Sequence, residues 1–247
     1  MTTTASTGLS LKLSHLSKAF DGKTVLNDID LEIPAGQFTV IIGRSGCGKS
    51  TLLRLIAGLE TPSSGGIQFN ESPAKPLDPR LRVVFQDSRL LPWKNVIGNV
   101  TLGKRNFPLR QRAQKLLEHV GLADRAKDWP SILSGGQRQR IAFARALATR
   151  PDLLLFDEPL GALDALTRLD MQDLLERLWL EEKYTSILIT HDVEEAIALG
   201  DRVILIEKGK ITLDLPIDLP RPRDRDSPAF TSLRHDILSR LKNRSTP

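Results

Sequence analysis

The chain has 247 residues, of which 40% are hydrophobic and 26% charged, with one cysteine. This composition is ordinary for a globular protein, excludes a disulfide within the chain, and leaves no apolar run near the roughly 20 residues that a membrane span requires. The net charge of +5 comes from residues spread along the sequence. It therefore predicts a solvated or membrane-facing basic surface rather than a nucleic-acid partner.

The first third of the chain predicts a β-rich region followed by a helix. Residues 1–8 are rich in Thr and Ser and lack the pattern of a secretory signal, which predicts a disordered leader. Leu9 to Phe20 and Val25 to Ile33 alternate apolar and polar residues around a turn, which predicts antiparallel strands. A strand (Phe38 to Ile42), a helix (Ser50 to Leu59) and two further strands (Gly66 to Phe69 and Leu81 to Phe85) follow.

The middle of the chain predicts a helical insertion. Residues 87–149 lack strong strand patterns, and helices are predicted over Pro108 to Val120 and Gly135 to Thr149. The apolar run Leu153 to Phe156 then predicts a fully buried strand, as in a parallel sheet.

The last third predicts alternating helices and strands. The elements are a helix over Ala165 to Glu182, a strand over Ser186 to Thr190, a helix over Val193 to Leu199 and a strand over Val203 to Glu207. Such alternation favours an α/β fold with residues 9–214 as the main domain. Residues 215–247 form a tail, in which Pro216 to Pro228 is predicted to be irregular and exposed.

A glycine-rich loop between the third strand and the first helix matches the phosphate-binding pattern G-x-x-x-x-G-K-[ST]. It comprises Gly43, Arg44, Ser45, Gly46, Cys47, Gly48, Lys49, Ser50 and Thr51. The glycines let backbone N–H groups surround a phosphate, and the helix start adds a positive dipole end. Lys49 supplies a charge for the β- and γ-phosphates, and Ser50 a hydroxyl for Mg²⁺. The pattern predicts an ATP site with bound Mg²⁺.

Two adjacent carboxylates, Asp157 and Glu158, end the apolar run that follows the helical insertion. A carboxylate at the end of a buried strand beside the phosphate loop can hold Mg²⁺, which suits Asp157. Glu158 lies one residue further, where it can take a proton from an attacking water. The alternative is a strand followed by an ordinary polar turn.

The segment Leu133 to Gln137 closely resembles the signature motif of the ABC (ATP-binding cassette) family. Ser134, Gly135, Gly136 and Gln137 form a second anion site at a helix start. In that family, the motif of one subunit closes over the phosphate loop of a second copy. The resemblance covers roughly Leu11 to Asp214 and implies a P-loop core sheet with an antiparallel β subdomain and an inserted helical subdomain.

Other segments are similar to ABC motifs in the expected order, and the resemblance implies their roles. Phe20 stands where an aromatic residue stacks on adenine. Gln86 resembles the Q-loop glutamine, which reaches Mg²⁺. Gly161 to Asp164 resembles the D-loop, with Gly161 in place of the usual Ser. His191 resembles the switch histidine that contacts the γ-phosphate and joins Lys49 and Glu158 as a catalytic candidate.

A narrower resemblance concerns cargo and partners. Phe85 to Val96 resembles the corresponding segment of ABC importers for nitrate, taurine and sulfonates. Pro159 to Arg168 most resembles that of the aliphatic-sulfonate importers. The resemblance implies transmembrane permease subunits, a periplasmic or surface substrate-binding protein, and a peripheral position on the cytoplasmic face of the inner membrane. Taurine or nitrate remains an alternative cargo. Soluble ABC ATPases of DNA repair or translation, and P-loop kinases or GTPases, are remote alternatives.

Two residues invite narrower predictions. Cys47 lies beside Lys49 at a helix start, which favours its thiolate, although an inert loop position is equally compatible. Trp93 belongs to an apolar cluster just after Gln86, and such clusters at irregular positions are typical of binding surfaces. The alternative for Trp93 is a place in the core of the helical subdomain.

Overall fold

The computed structural model describes residues 8–102 and 107–243. The predicted leader lies outside the described residues except for Gly8. None of the helices in the described part of the chain is long and apolar enough to cross a membrane.

The strands of the described residues form two sheets with different strand directions. The strands are β1 (Leu11–Phe20), β2 (Lys23–Ile33), β3 (Phe38–Ile42), β4 (Ser64–Phe69), β5 (Ser72–Pro73), β6 (Leu81–Phe85), β7 (Leu153–Asp157), β8 (Thr185–Ile189), β9 (Arg202–Glu207) and β10 (Lys210–Pro216). One sheet is antiparallel with the order β2-β1-β4-β5. The other has the order β10-β9-β3-β8-β7-β6 and is parallel apart from β10.

Helices α1 to α6 lie between strands as the alternation predicts, and α7 follows the last strand. They are α1 (Lys49–Ile56), α2 (Val96–Thr101), α3 (Phe107–His119), α4 (Gly135–Ala148), α5 (Ala165–Glu182), α6 (Val193–Leu199) and α7 (Pro228–Asn243). Helices α2, α3 and α4 fall between β6 and β7 and pack on one another, so the helical insertion has its own internal contacts. The predicted α/β class with an antiparallel sheet and a helical insertion is confirmed.

The parallel sheet separates two hydrophobic cores because successive strand residues point to opposite faces. In β7, Leu154 and Phe156 belong to one core, whereas Leu153 and Leu155 belong to the other. The first core contacts α4, α5, α6 and α7, and the second contacts α1 and the antiparallel sheet. Burial on both faces explains why the central strands read as unbroken apolar runs.

The segment after β10 is irregular as predicted, and its Pro and Asp residues are exposed as predicted, but its arginines pack against the main domain. The side chain of Arg223 is only 2% exposed. Its guanidinium donates hydrogen bonds to the carbonyls of Ile197 and Gly200, both at 2.6 Å. Arg221 donates to the carbonyl of Leu199 at 2.6 Å. The last carbonyls of a helix lack partners within the helix, so the two arginines are buried because they satisfy the end of α6.

The tail continues as α7, which the sequence did not predict. Phe230 and Ile237 of this helix are buried in the first core. Arg234 forms an ion pair of 2.5 Å with Glu194 of α6. At the far end of α7, the carbonyl of Leu241 accepts a hydrogen bond of 3.2 Å from Arg44 in the glycine-rich loop. The tail thus packs on the main domain and reaches the phosphate loop.

Candidate active site

The strand register gathers the candidate residues at one edge of the parallel sheet. Phe85 pairs with Asp157, and Asp157 pairs with Ile189. Strand β3, which leads into the glycine-rich loop, lies beside β8. The residues that follow these strands therefore meet at the carboxyl edge, where ligands bind in α/β sheets. This edge brings together the glycine-rich loop, Gln86, Asp157, Glu158 and His191.

The glycine-rich loop surrounds the amine of Lys49. The Lys49 side chain is buried and donates hydrogen bonds to the carbonyls of Gly43 at 2.8 Å and Arg44 at 3.1 Å. Gly48 has φ 107°, and a Cβ there would lie 2.7 Å from Cδ2 of Leu26, so only glycine fits between the loop and β2. The loop thus holds a positive charge inside a curved run of backbone at the start of α1, which suits an anion.

Ser50 and Asp157 meet across the site. The Ser50 hydroxyl donates a hydrogen bond of 3.0 Å to Oδ1 of Asp157. These residues are far apart in sequence. They meet because α1 packs against β7 in the fold. Two hard oxygen ligands beside a phosphate cradle match the preferences of Mg²⁺.

Glu158 and His191 are also in contact. Nδ1 of His191 lies 3.2 Å from Oε2 of Glu158. The backbone N–H of Glu158 donates to the carbonyl of Ile189 at 3.0 Å, and its φ is 47°, in the left-handed region. The backbone leaves the strand at this point and turns the carboxylate toward the site. The Glu158 side chain is 27% exposed and that of His191 65%, so both are accessible to a ligand.

Gln86 is held beside Glu158 by residues of other segments. A Cβ on Gly161 would lie 3.5 Å from Nε2 of Gln86 and 3.6 Å from the carbonyl oxygen of Glu158. The turn at Gly161 therefore packs on the glutamine. Gln139 of α4 donates to the carbonyl of Phe85 at 3.1 Å. Arg145 of α4 donates to the carbonyl of Ser88 at 2.6 Å. Helix α4 therefore holds the backbone both before and after Gln86.

The signature-like segment caps the start of α4 in the helical insertion. Ser134 and Gln137 form a capping box, with the N–H of Gln137 donating to Oγ of Ser134 at 3.2 Å and the N–H of Ser134 donating to Oε1 of Gln137 at 2.9 Å. A Cβ on Gly136 would lie 2.8 Å from Cγ2 of Thr167, so glycine permits close approach to α5. Gly135 lines a cleft of about 330 Å³ with Gln86. This segment thus contacts α5, caps α4 and shares a cleft with Gln86.

Asp164 caps the start of α5. Its side chain accepts a hydrogen bond of 3.0 Å from the backbone N–H of Thr167. That bond holds the pKa of the Asp164 carboxyl below its usual value, because it stabilises the charged form. Asp164 is exposed and follows the turn at Gly161, so its carboxylate stays charged at the rim of the site.

Phe20 lies at the hairpin end of the antiparallel sheet. Its ring is 40% exposed, and the ammonium of Lys18 lies 4.6 Å from the ring centroid. Lys18, two residues before Phe20, pairs with Leu26 of β2. Leu26 in turn contacts the glycine-rich loop at Gly48. Phe20 therefore presents an open aromatic face on the sheet that supports the loop.

The prediction that Cys47 favours its thiolate was wrong in direction. Burial raises the pKa of the Cys47 thiol, and the charge of Lys49 offsets this only in part. The amine of Lys49 lies 4.0 Å from the sulfur, but it is already directed at the carbonyls of the loop. Desolvation of the thiolate is the larger effect here.

Sequence reasoning missed a polar group beneath His191. Thr190 and Glu195 are buried there in direct contact, and Asp192 and Arg168 adjoin them. The pattern D-x-x-E over residues 192–195 is a helix-start signal and was available in the sequence. It predicts that Glu195 folds back on the cap, whereas the structure places it in the interior.

The fold and this site define a P-loop ATPase, with a phosphate loop, a hydroxyl–carboxylate pair and a carboxylate–histidine pair at one sheet edge. The family described as ABC transporter matches residues 26–161, more than half of the chain. The chain belongs to the ABC transporter family.

Curated relatives and solved structures are similar over most of the chain. The aliphatic sulfonates import ATP-binding protein SsuB of Pectobacterium atrosepticum is 57% identical over 95% of this chain and 88% of its own length. SsuB 2 of Agrobacterium fabrum is 56% identical over 98% and 93%. A dimeric post-hydrolysis structure of the ATP-binding cassette MJ0796, bound to ADP and Pi, has a TM-score of 0.73 and 32% identity, and covers 84% of this chain and 98% of that one. CbiO1 of Clostridium perfringens has a TM-score of 0.79 with 28% identity over 94% of both chains.

Proposed function

We propose that this chain hydrolyses ATP to drive the import of aliphatic sulfonates by an ABC transporter. The observation that carries the ATPase activity is the meeting of Lys49, the Ser50–Asp157 pair and the Glu158–His191 pair at one sheet edge. The cargo is supported by relatives that are 55–57% identical and share one substrate in their names. No residue described above would touch the cargo, so the substrate rests on those relatives.

Each side chain has a role that follows from its position. The amine of Lys49 and the N–H groups of residues 43–51 bind the phosphates, and Phe20 stacks on the base. Glu158 accepts the proton of the attacking water, because its carboxylate is accessible and follows β7 at the sheet edge that carries the loop. His191 orients that carboxylate through the 3.2 Å contact and faces the terminal phosphate.

The same edge would hold Mg²⁺ through Ser50, Asp157 and Gln86. The Ser50 hydroxyl, the Asp157 carboxylate and the Gln86 amide oxygen are the hard oxygen ligands that this ion prefers. When bound, the ion neutralises negative charge on the phosphate oxygens. The hydrogen bond between Ser50 and Asp157 keeps the two oxygens adjacent before any ion arrives.

A second copy of the chain would complete the site. Ser134, Gly135 and the start of α4 form an exposed anion-binding end. In one chain Ser134 and Gly135 are exposed at this end, so it can close over the phosphate loop of a partner. The solved MJ0796 cassette is described as a dimer, which supports this arrangement.

The transporter context implies further partners. Trp93, on the loop after Gln86, is 70% exposed and is the proposed anchor for transmembrane permease subunits. The assembly would receive cargo from a periplasmic or surface binding protein. The chain would then lie as a peripheral subunit on the cytoplasmic face of the inner membrane.

Complementation of a deletion strain tests this function. We expect the wild-type gene to restore growth on ethanesulfonate as sole sulfur source, and a Glu158→Gln gene to fail.

Purified Glu158→Gln protein should bind ATP, lose about 10²- to 10⁴-fold in turnover because it lacks the base, and accumulate as an ATP-bound dimer on size exclusion. Near-normal hydrolysis by this variant would remove Glu158 from its role. Growth of the deletion strain on ethanesulfonate but not on taurine would reassign the cargo and leave the ATPase intact.

A further inference from the structure

A buried polar group lies directly beneath the loop that carries His191. Glu195 is 4% exposed and Thr190 is 3% exposed. The Thr190 hydroxyl donates a hydrogen bond to Oε2 of Glu195. The same hydroxyl oxygen accepts from the backbone N–H of Asp192 at 3.1 Å. Thr190, before His191, is therefore bonded to the interior carboxyl group, and Asp192, after His191, is linked to that carboxyl group through the Thr190 hydroxyl.

The same loop is connected to the D-loop through Arg168. Asp192 caps α6 by accepting from the N–H groups of Glu194 at 2.8 Å and Glu195 at 3.2 Å. Its other carboxylate oxygen lies 3.8 Å from the guanidinium of Arg168. Arg168 in turn donates to the carbonyl of Leu163, next to Asp164, at 2.9 Å.

We propose that Glu195 is a positioning residue that holds His191 against Glu158 and thereby sets the rate of ATP hydrolysis. The side chain of Glu195 does not reach the reacting atoms. It acts through Thr190, whose hydroxyl couples the interior carboxyl to the backbone on the far side of His191. A loop anchored on both sides presents the imidazole in one place, and misplacement of about 1 Å in a catalytic group can cost 10²-fold in rate.

The position of Glu195 favours a neutral carboxyl group. Among the described residues its Oε1 has no hydrogen-bond partner, so a full negative charge would be poorly solvated there. Burial raises the pKa of Glu195 to about 7. The hydrogen bond from Thr190 acts against this shift, as do Arg168 of α5 and His191, whereas Asp192 acts in the same direction as burial.

The remaining neighbours of α6 add little to this balance. Strand β3, which packs on α6, has no titratable side chain. Arg234 of α7 pairs with Glu194 rather than with Glu195. The charge state of Glu195 therefore changes near neutral pH. Because burial outweighs the hydrogen bond from Thr190, deprotonation as the pH rises destabilises the buried position of Glu195 and loosens the His191 loop.

Two substitutions at Glu195, with one control, test the proposal in the purified full-length chain. Glu195→Ala should lower kcat about 10- to 100-fold with little change in KM for ATP, because the loop loses its interior anchor. Glu195→Gln keeps a hydrogen-bonding amide without titration, so it should keep kcat near that of the wild type at pH 6. The ratio of wild-type to Gln kcat should then fall as the pH rises from 6 to 8. Glu194→Gln, one residue away and on the surface, should show the wild-type pH profile.

A merely structural role for Glu195 would lower the melting temperature without these kinetic changes. A folded Glu195→Ala protein with kcat within about twofold of the wild type would overturn the proposal. If the Ala variant does not fold, a Gln variant whose kcat has the wild-type pH profile would also overturn the proposal. The proposal rests on the ATPase function of the site, and a Glu158→Gln protein that still hydrolyses ATP would defeat that function whatever Glu195 does.

Discussion

Single side chains at this site are governed by desolvation as much as by nearby charge. Cys47 lies beside a lysine and a helix start, yet its thiol pKa is raised because the sulfur is partly buried in the loop. A charge that is already hydrogen-bonded elsewhere, as that of Lys49 is, stabilises a neighbouring anion less than its proximity suggests.

We expect Cys47 to react slowly with maleimide. At pH 7.5 its second-order rate constant should be below that of glutathione, because the thiolate is the reactive form and its population is reduced. The rate should still be increasing at pH 9, where an unperturbed thiol is mostly ionised. Mass spectrometry of the alkylated chain measures the rate, and the lone cysteine makes the assignment unambiguous. Alkylation faster than that of glutathione at pH 7.5 would contradict the raised pKa.

What the sequence could predict was local chemistry at element boundaries. Patterns only a few residues long predicted three features of the site. They are the glycine-rich loop with Lys49, the Asp157–Glu158 pair at the end of an apolar strand, and the Ser134 cap. Glu195 is not predicted in this way, because its burial depends on how α6 packs against α5 and β3, which are distant in sequence. A glutamate at the third position of a helix has the same local pattern whether it faces solvent or the interior.

At the scale of elements, the loop between β6 and α2 has a rigid base and an exposed tip. Asn99 is fully buried; it accepts a hydrogen bond from the N–H of Leu91 at 2.7 Å and donates to the carbonyl of Lys94 at 2.9 Å. Leu90 packs against the first core. Trp93 stands 70% exposed between these anchors, so the alternative that this residue belongs to the core is wrong.

Trp93→Ala should therefore leave the free subunit intact. Its melting temperature and its ATPase rate should match those of the wild type, because neither the core nor the site loses a contact. Assembly with the permease should weaken by about 2 kcal/mol or more if the indole is an anchor. Trp129→Ala, which removes another exposed indole on the same helical insertion, is the matched control. Unfolding of the Trp93 variant, or equal transport loss in both variants, would count against docking at this loop.

At the scale of the whole molecule, the C-terminal segment is part of the ATPase rather than an appendage. The boundary predicted at residue 214 falls inside β10, and the irregular segment after it is fixed by arginines at the end of α6. Composition alone suggested an exposed arm because Pro, Arg and Asp are common on surfaces. The partners of Arg223 are backbone carbonyls, which the side-chain sequence does not reveal.

Removing one of these arginines should destabilise the chain. We expect Arg223→Ala to lower the free energy of unfolding by about 1.5–3 kcal/mol, since it removes charged hydrogen bonds to buried carbonyls. Arg110→Ala, at an exposed position on α3, should change it by less than about 0.5 kcal/mol. Urea denaturation of both variants measures the difference. Equal stability of the two would mean that the carbonyls at the end of α6 find other partners.

Because Arg44 donates a hydrogen bond to the Leu241 carbonyl, a probe near the end of α7 could report on the phosphate loop. A fluorophore attached at Arg240, an exposed position one residue earlier, would sit within one helical turn of a side chain of the phosphate loop. Its emission would respond when nucleotide rearranges Arg44, even in a chain that cannot turn over. Occupancy of the loop could then be followed in real time, separately from phosphate release.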